Sequence, residues 1–325
     1  MRLLTALLFL LLSSCAAQKQ TYNNPVVDKS LPDPTIIKAE DGWFYLYATE
    51  DTRNVPIYKS NNLVDWTFAG TAFTNESRPT FEPKGGIWAP DINRIGTNYV
   101  LYYSMSRWGG EQTCGIGAAI ADAPEGPFTD MGPLFRSNTI GVQNSIDQFY
   151  IEENGKKYLF WGSFRGIYVI ELSDDGLSVK DGAQKIQIAG TAFEAVYIHK
   201  KKGYYYLFAS VGSCCEGVNS TYKLVVGRSD SLLGPYYDRS GKPMLENGYT
   251  IVINANERFK GNGHCSEIVQ DKKNNDWIFY HGVDAENPQG RKLLLDKIEW
   301  SRDGWPVIGN GAPSLISVRP SFGKK

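Results

Sequence analysis

The chain has no surplus of either charge. Thirty-four Lys and Arg stand against 35 Asp and Glu, a net charge of −1 over 325 residues. The two signs are interspersed, which excludes nucleic acid as the main partner and favours a neutral ligand. Histidine is scarce at three residues, methionine at four and cysteine at five, and the cysteine spacings fit no zinc pattern. Helical periodicity is lacking outside the N-terminus. The apolar run there, Leu3 to Leu12, is too short for a stable membrane-spanning helix. What is abundant points to strands: aromatics make up 13% of the residues, and 33 Gly with 16 Pro punctuate short apolar stretches. That is the pattern of an all-β protein.

Those stretches repeat. Glu194 to His199 reads as a strand, Lys200 to Gly203 as a basic turn and Tyr204 to Ser210 as a second strand rich in aromatics. The same unit starts at Asp33 with its second strand at Trp43 to Thr49, and at Asp91 with Tyr99 to Met105. It starts again at Asp147 with Lys157 to Ser163, and at His264 with Asp276 to Gly282. A looser second half follows. Cys114 to Asp122 leads into Glu125-Gly-Pro-Phe-Thr-Asp130, and Tyr222 to Asp230 into Leu233-Gly-Pro-Tyr-Tyr-Asp238, so that a third strand passes through a Gly-Pro turn into a fourth. Heads spaced 58, 56, 47 and 70 residues apart predict a single five-bladed β-propeller over residues 31–325, with four antiparallel strands per blade. First strands of blades run along the central channel, so Asp33, Asp91, Asp147, Glu194 and His264 are expected to face one another at one axial opening.

Converging carboxyls suit hydrolysis of a glycosidic bond. One carboxylic acid protonates the departing oxygen and one carboxylate activates water or attacks the sugar. A third carboxylate beside the acid raises its pKa by like-charge repulsion. Glu194 heads an otherwise apolar strand, where an unpaired carboxylate is costly to bury; Asp91 reads as structural. From the residues alone the roles among the four carboxylates stay open, and so does a sugar-binding propeller without catalysis. His199 and His281 read as structural or surface residues, and Arg291 as a surface charge, with contact to a sugar hydroxyl as its alternative.

Leu31-Pro-Asp-Pro34, Trp88-Ala-Pro-Asp91, Asn144-Ser-Ile-Asp147, Phe193-Glu-Ala195 and Gly263-His264 occur in the order and positions of the glycoside hydrolases of family 43, which the chain resembles over nearly its whole mature length. Trp161-Gly-Ser-Phe-Arg-Gly-Ile167, Ser213-Cys-Cys-Glu-Gly217 and Asp303-Gly-Trp-Pro306 make it most similar to the arabinanases. The resemblance implies inverting cleavage of α-1,5-linked L-arabinan, a plant cell-wall polysaccharide. It makes Asp33 the general base, Glu194 the general acid and Asp147 the group that orients the acid and tunes its pKa. It also implies sugar contacts at Trp88, Gly109, Asn144 and Ser163, and a central metal at His264, commonly calcium, held largely through water. An exo-acting arabinofuranosidase or a β-xylosidase of the same family is the alternative. Gln148 and Val196 stand where that family usually has prolines.

Leu12-Ser13-Ser14-Cys15 resembles a bacterial lipobox. Residues 1–14 then read as a lipoprotein signal peptide, Cys15 as the lipid-anchored residue and 15–30 as a tether and lead-in to an exported, monomeric enzyme. The other four cysteines are expected to be free and buried, because adjacent cysteines rarely pair. A bridge from Cys114 to Cys214 or Cys215 is the alternative.

Overall fold

The computed structural model describes residues 20–322. The signal peptide, Cys15 and the first part of the tether lie outside the described residues. From Thr21 onward the expected tether is folded. Thr21–Asn23 pairs with Ile316–Val318, and Val27–Ser30 pairs with the long strand Asn287–Trp300. The apolar residues Tyr22 and Leu31 bury there, where a free lead-in would leave them in water.

The body is all-β, with one helical turn, Ser137–Ile140, and two short 3-10 turns among the described residues. Its strands form five four-stranded, blade-like sheets. The first comprises Thr35–Lys38, Phe44–Tyr47, Pro56–Ser60 and Thr67–Thr71, and the second Gly86–Ile95, Asn98–Ser106, Gly115–Ala121 and Thr129–Arg136. The third comprises Phe149–Glu153, Lys156–Trp161, Ile167–Glu171 and Ile186–Ala189. The fourth runs through Glu194–Lys201, Tyr204–Val211, Lys223–Ser229 and Thr250–Ile253. The fifth runs through Phe259–Cys265, Asp276–Asp284, Asn287–Trp300 and Pro306–Ile308.

The second strands show why such a chain needs neighbours on both sides. All of Phe44-Tyr-Leu-Tyr47 is buried. With a period of two, alternate residues face opposite ways: Tyr45 and Tyr47 pack with Tyr99, Leu101 and Tyr103 of the second sheet, while Phe44 and Leu46 pack with Phe279 and Leu295 of the fifth. Val100 and Tyr102 join Tyr150 and Leu159 of the third sheet. Phe160 of the third, Phe208 of the fourth and Ile278 of the fifth share another cluster. Each such side chain contributes about 1.5–3 kcal/mol by leaving water.

The two Gly-Pro turns behave differently. After Gly126-Pro127 the chain enters the fourth strand of its sheet directly. After Gly234-Pro235 it makes only isolated bridges at Tyr237, and the fourth strand is Thr250–Ile253. The Asp238 turn, with its carboxylate accepting from the Ser240 and Lys242 amides at 2.8 Å, inserts between them.

The heads of the first strands share one backbone feature. Asp33, Ala89, Asp147, Ala195 and His264 all lie in the left-handed region, at φ values of 55°, 41°, 59°, 58° and 47°. Register shifts accompany three of them, between Trp88 and Asp91, between Glu194 and Tyr197, and between Gly263 and Cys265. Non-glycine residues held there cost on the order of 1–3 kcal/mol each and persist only where surroundings enforce them. Such irregularities end the ladder and re-aim side chains.

Candidate active site

Asp33, Asp147 and Glu194 line a single cleft of about 320 Å³ together with Trp88, Gly109, Asn144, Ser163 and His264. Each of the three carboxyl residues is 7% exposed. Asp91 does not reach the cleft. In its unit the left-handed residue is Ala89, two positions earlier, so the chain turns before Asp91 and presents Trp88 instead. Asp91 lies deeper, accepting from the Tyr150 amide at 2.7 Å and hydrogen-bonded to Glu267. Glu267 in turn accepts from the Ile36 amide at 2.7 Å and the Thr35 hydroxyl at 2.9 Å. This pair of carboxyls thus ties together the inner parts of several sheets, in agreement with a structural reading of Asp91.

Asp33 is held from both sides of its carboxylate. Its Oδ1 lies 2.9 Å from Arg291 Nη1, 3.1 Å from His281 Nδ1 and 3.2 Å from His264 Nδ1. Its Oδ2 accepts from the Thr49 hydroxyl at 2.6 Å. Burial alone would raise its pKa, but the Arg291 guanidinium and the His264 ring hold it well below the usual carboxylate range. Sequence reasoning missed two of these partners. Arg291 is an inward-facing cation, not a surface charge, and His281 is fully buried in the site, its pKa pushed down to about 4 by burial and by Arg291. The signal for His281 lay in the register: it stands opposite Gly263, one residue from His264.

Glu194 and Asp147 have the opposite environment. The pKa of Glu194 is raised by burial, which its hydrogen bonds with Tyr222 and Ser163 only partly offset. Asp147 is pushed up to about 8 by burial and by the nearby charges of Glu194 and Asp33. The two titrate as a pair: between them they retain a proton near neutrality, so Asp147 is itself a proton holder and not only a fixed negative charge. Its position is secured by the Ser104 hydroxyl, which accepts from the Asp147 amide at 2.9 Å and donates to Gln148 at 2.8 Å. Gln148 Nε2 reaches the Ala89 carbonyl at 2.6 Å. This side chain ties the second and third heads together.

Tyr222 is buried beside Glu194. Its ring stacks on His281 at 5.5 Å with 4° between the planes, and its hydroxyl bonds Glu194 and Ser210. A Cβ at Gly263 would lie 2.5 Å from that ring, so only glycine lets the fifth sheet close on it. At the rim, Trp88 is half-buried 5.6 Å from Trp108, which is 79% exposed. Cys214 and Cys215 also line the cleft, bonded to each other. This corrects the expectation of four free cysteines and excludes a bridge to Cys114, which is buried with its Sγ 3.2 Å from Ser137 Oγ. The adjacent pair sits on a loop between strands, and each thiol finds its partner in the neighbouring residue. Cys265 is free and buried as expected.

Among the described residues no group of three His, Cys, Asp or Glu is arranged to hold a metal ion. His264 offers one ring, with Nδ1 already against Asp33. Among the described residues the donor set does not fit a directly coordinated metal.

The model of the family "Glycosyl hydrolases family 43" matches residues 22–306. The chain belongs to that family. This glycosidase is 37% identical over 289 residues to the extracellular endo-α-(1→5)-L-arabinanase 1 of Bacillus subtilis (strain 168), covering 85% of this chain and 87% of that one. It is 33% identical over 304 residues to the extracellular exo-α-(1→5)-L-arabinofuranosidase ArbA of Cellvibrio japonicus (strain Ueda107), covering 85% of both. Among solved structures it is similar to the α-L-arabinanase of Cellvibrio cellulosa complexed with arabinohexaose, with a TM-score of 0.79 and 30% identity over 86% of this chain and 96% of that one.

Proposed function

We propose that this family 43 glycosidase cleaves α-1,5-linked L-arabinan with inversion of configuration. The observation that carries the reading is the opposite tuning of two carboxyls in one cleft. Asp33 is kept ionised by Arg291 and His264, while Glu194 is raised by burial beside a second proton holder. Pairs of carboxyls pushed apart in this way divide into base and acid. Asp33 takes a proton from water as the water oxygen attacks the anomeric carbon. Glu194 gives its proton to the departing sugar oxygen, so the products gain one water and the pair must exchange one proton with solvent before the next turnover. Asp147 keeps proton affinity high around Glu194. Trp88 and Gly109 line the path of the sugar, and His264 would hold a hydrated calcium ion, which would add positive charge to the cleft. The hydrophobic clusters that link first to second, second to third, third through fourth to fifth, and fifth to first sheet support closure of the five sheets into a propeller. Extracellular relatives support export, and the lipobox-like Leu12-Ser13-Ser14-Cys15 supports Cys15 as lipid anchor.

Product stereochemistry on linear arabinan, followed by proton NMR, tests the chemistry: a retained anomeric configuration overturns it. Asp33→Asn should lose ~10² to 10⁴ in rate on every substrate. Glu194→Gln should lose as much on arabinan and far less on aryl arabinosides, whose leaving groups scarcely need protonation. The relationship to an exo-acting arabinofuranosidase favours a second reading, release of single sugars from chain ends. Product profiling separates the two, since internal cleavage gives a ladder of oligosaccharides first.

A further inference from the structure

The resemblance to family 43 makes Asn144 and Ser163 sugar contacts, but their hydrogen bonds run elsewhere. Asn144 Nδ2 lies 3.1 Å from the Ser163 carbonyl oxygen and 2.9 Å from Ser163 Oγ. A carbonyl only accepts, so the amide must present its NH₂ end to Ser163. Ser163 Oγ therefore accepts from Asn144, and its own hydrogen needs a different acceptor. Glu194 Oε2, 2.7 Å away, is that acceptor. Ser163 is 2% exposed. A proton on Oε2 would point at Ser163 Oγ and strand the serine's hydrogen, and an unmade buried hydrogen bond is costly.

The geometry points to Asn144 and Ser163 as a one-way relay that keeps Glu194 Oε2 unprotonated and leaves Oε1, on a carboxyl that also faces Tyr222, Asp147, His264 and Asp33, to carry the acidic proton. They are positioning residues acting through Glu194. The inference rests on the reading of Glu194 as the general acid. Asn144 is itself locked in place, since its backbone is left-handed at φ 52° and its amide donates to the Glu111 carbonyl at 2.8 Å.

The test is kinetic and uses the full mature enzyme. With a proton free to sit on either oxygen, Ser163→Ala should lower kcat on arabinan by roughly ten- to a hundredfold with little change in KM. It should spare aryl arabinosides. It also removes a hydrogen bond that stabilises the ionised acid, so the alkaline limb of the pH–rate profile should move up by about one pH unit. Asn144→Ala should act in the same direction. It should add nothing in the Ser163→Ala background, because both changes break one chain. Ser163→Thr, which keeps the hydroxyl, should restore the limb. If Ser163→Ala lowers the melting temperature, the half-buried Asn144 gives the same readout alone. A rise in KM, equal losses on both substrates and an unmoved limb would show plain sugar ligands and overturn the relay. Glu194→Gln separates the failures: if that variant keeps full activity on arabinan, the acid assignment itself is wrong.

Discussion

Removing the charge of Arg291 should reveal how Asp33 is kept ready as a base. Arg291 Nη1 is 2.9 Å from Asp33 Oδ1, with side-chain exposures of 19% and 10%. Two unit charges at that distance attract by about 6 kcal/mol at an effective dielectric of 20. The cleft admits water, and the two histidine rings remain on the same oxygen, so the realised effect falls below that figure. An Asp beside an Arg is typically lowered by one to three pH units, about 1.4–4 kcal/mol. Arg291→Met removes the charge and keeps much of the stem. On the proposed reading Asp33 works ionised, so activity should be lost only as the pH falls through its strongly depressed pKa. Raising that value moves the loss upward, so the acid limb of kcat/KM should climb by about one to three pH units. The variant should suffer most at acid pH and recover toward neutrality. The same sign holds for stability: the depressed pKa contributes stability above the ordinary Asp value, and part of it should disappear in the variant. A uniform loss at every pH with a raised KM would refute the argument and make Arg291 a sugar ligand only.

The other predictions concern the remaining charges. Asp147→Asn lets Glu194 lose its proton without a second carboxylate ionising beside it, so the alkaline limb should move down, by about one to two pH units on the usual scale of such pairs; an unmoved limb would remove Asp147 from the proton balance. Asp91 has its pKa raised by burial and by Glu267, so the folded state holds a proton that the unfolded chain releases, and stability falls as the pH rises above the ordinary carboxylate range at up to about 1.4 kcal/mol per pH unit. Asp91→Asn should flatten the melting temperature against pH in that window, and an unchanged slope would show that the pair does not carry the effect. His264→Ala should lower activity strongly with the melting temperature nearly intact, and a chelator should mimic it in the parent enzyme if the hydrated ion is real. Activity unaffected by both would retire the ion.

The repeat that organises this chain was legible because it is written in backbone chemistry. Strand, turn and aromatic strand recur because each inner pair must bury both faces, and the Tyr-rich second strands do so between neighbouring sheets. Boundaries were less legible. The stretch 21–30 lacks a repeat of its own and gains structure only by pairing with strands near the far end of the chain, Thr21 with Val318 and Val27 with Leu293. Pairing of that span leaves no local mark. The partners of the carboxylates were hidden for a related reason: Arg291 and His281 come from later strands of their sheet, where position in the repeat says nothing about which side chain reaches the axis.

The second unit shows where sequence register and structure part. A left-handed residue at the head turns the chain and aims one side chain into the cleft. When that residue is Asp33 or Asp147, its own carboxyl enters. When it is Ala195, the preceding Glu194 enters. When it is Ala89, the preceding Trp88 enters and Asp91 is carried past the opening. A tryptophan at that place gives the cleft an apolar wall on one side and leaves three carboxyls, not four, to repel one another. Four facing carboxyls in a buried cleft would each push the others' pKa upward, and Asp33 would then be harder to keep ionised. On the proposed roles, the displacement of Asp91 into its own pair with Glu267 is therefore part of what keeps acid and base distinct.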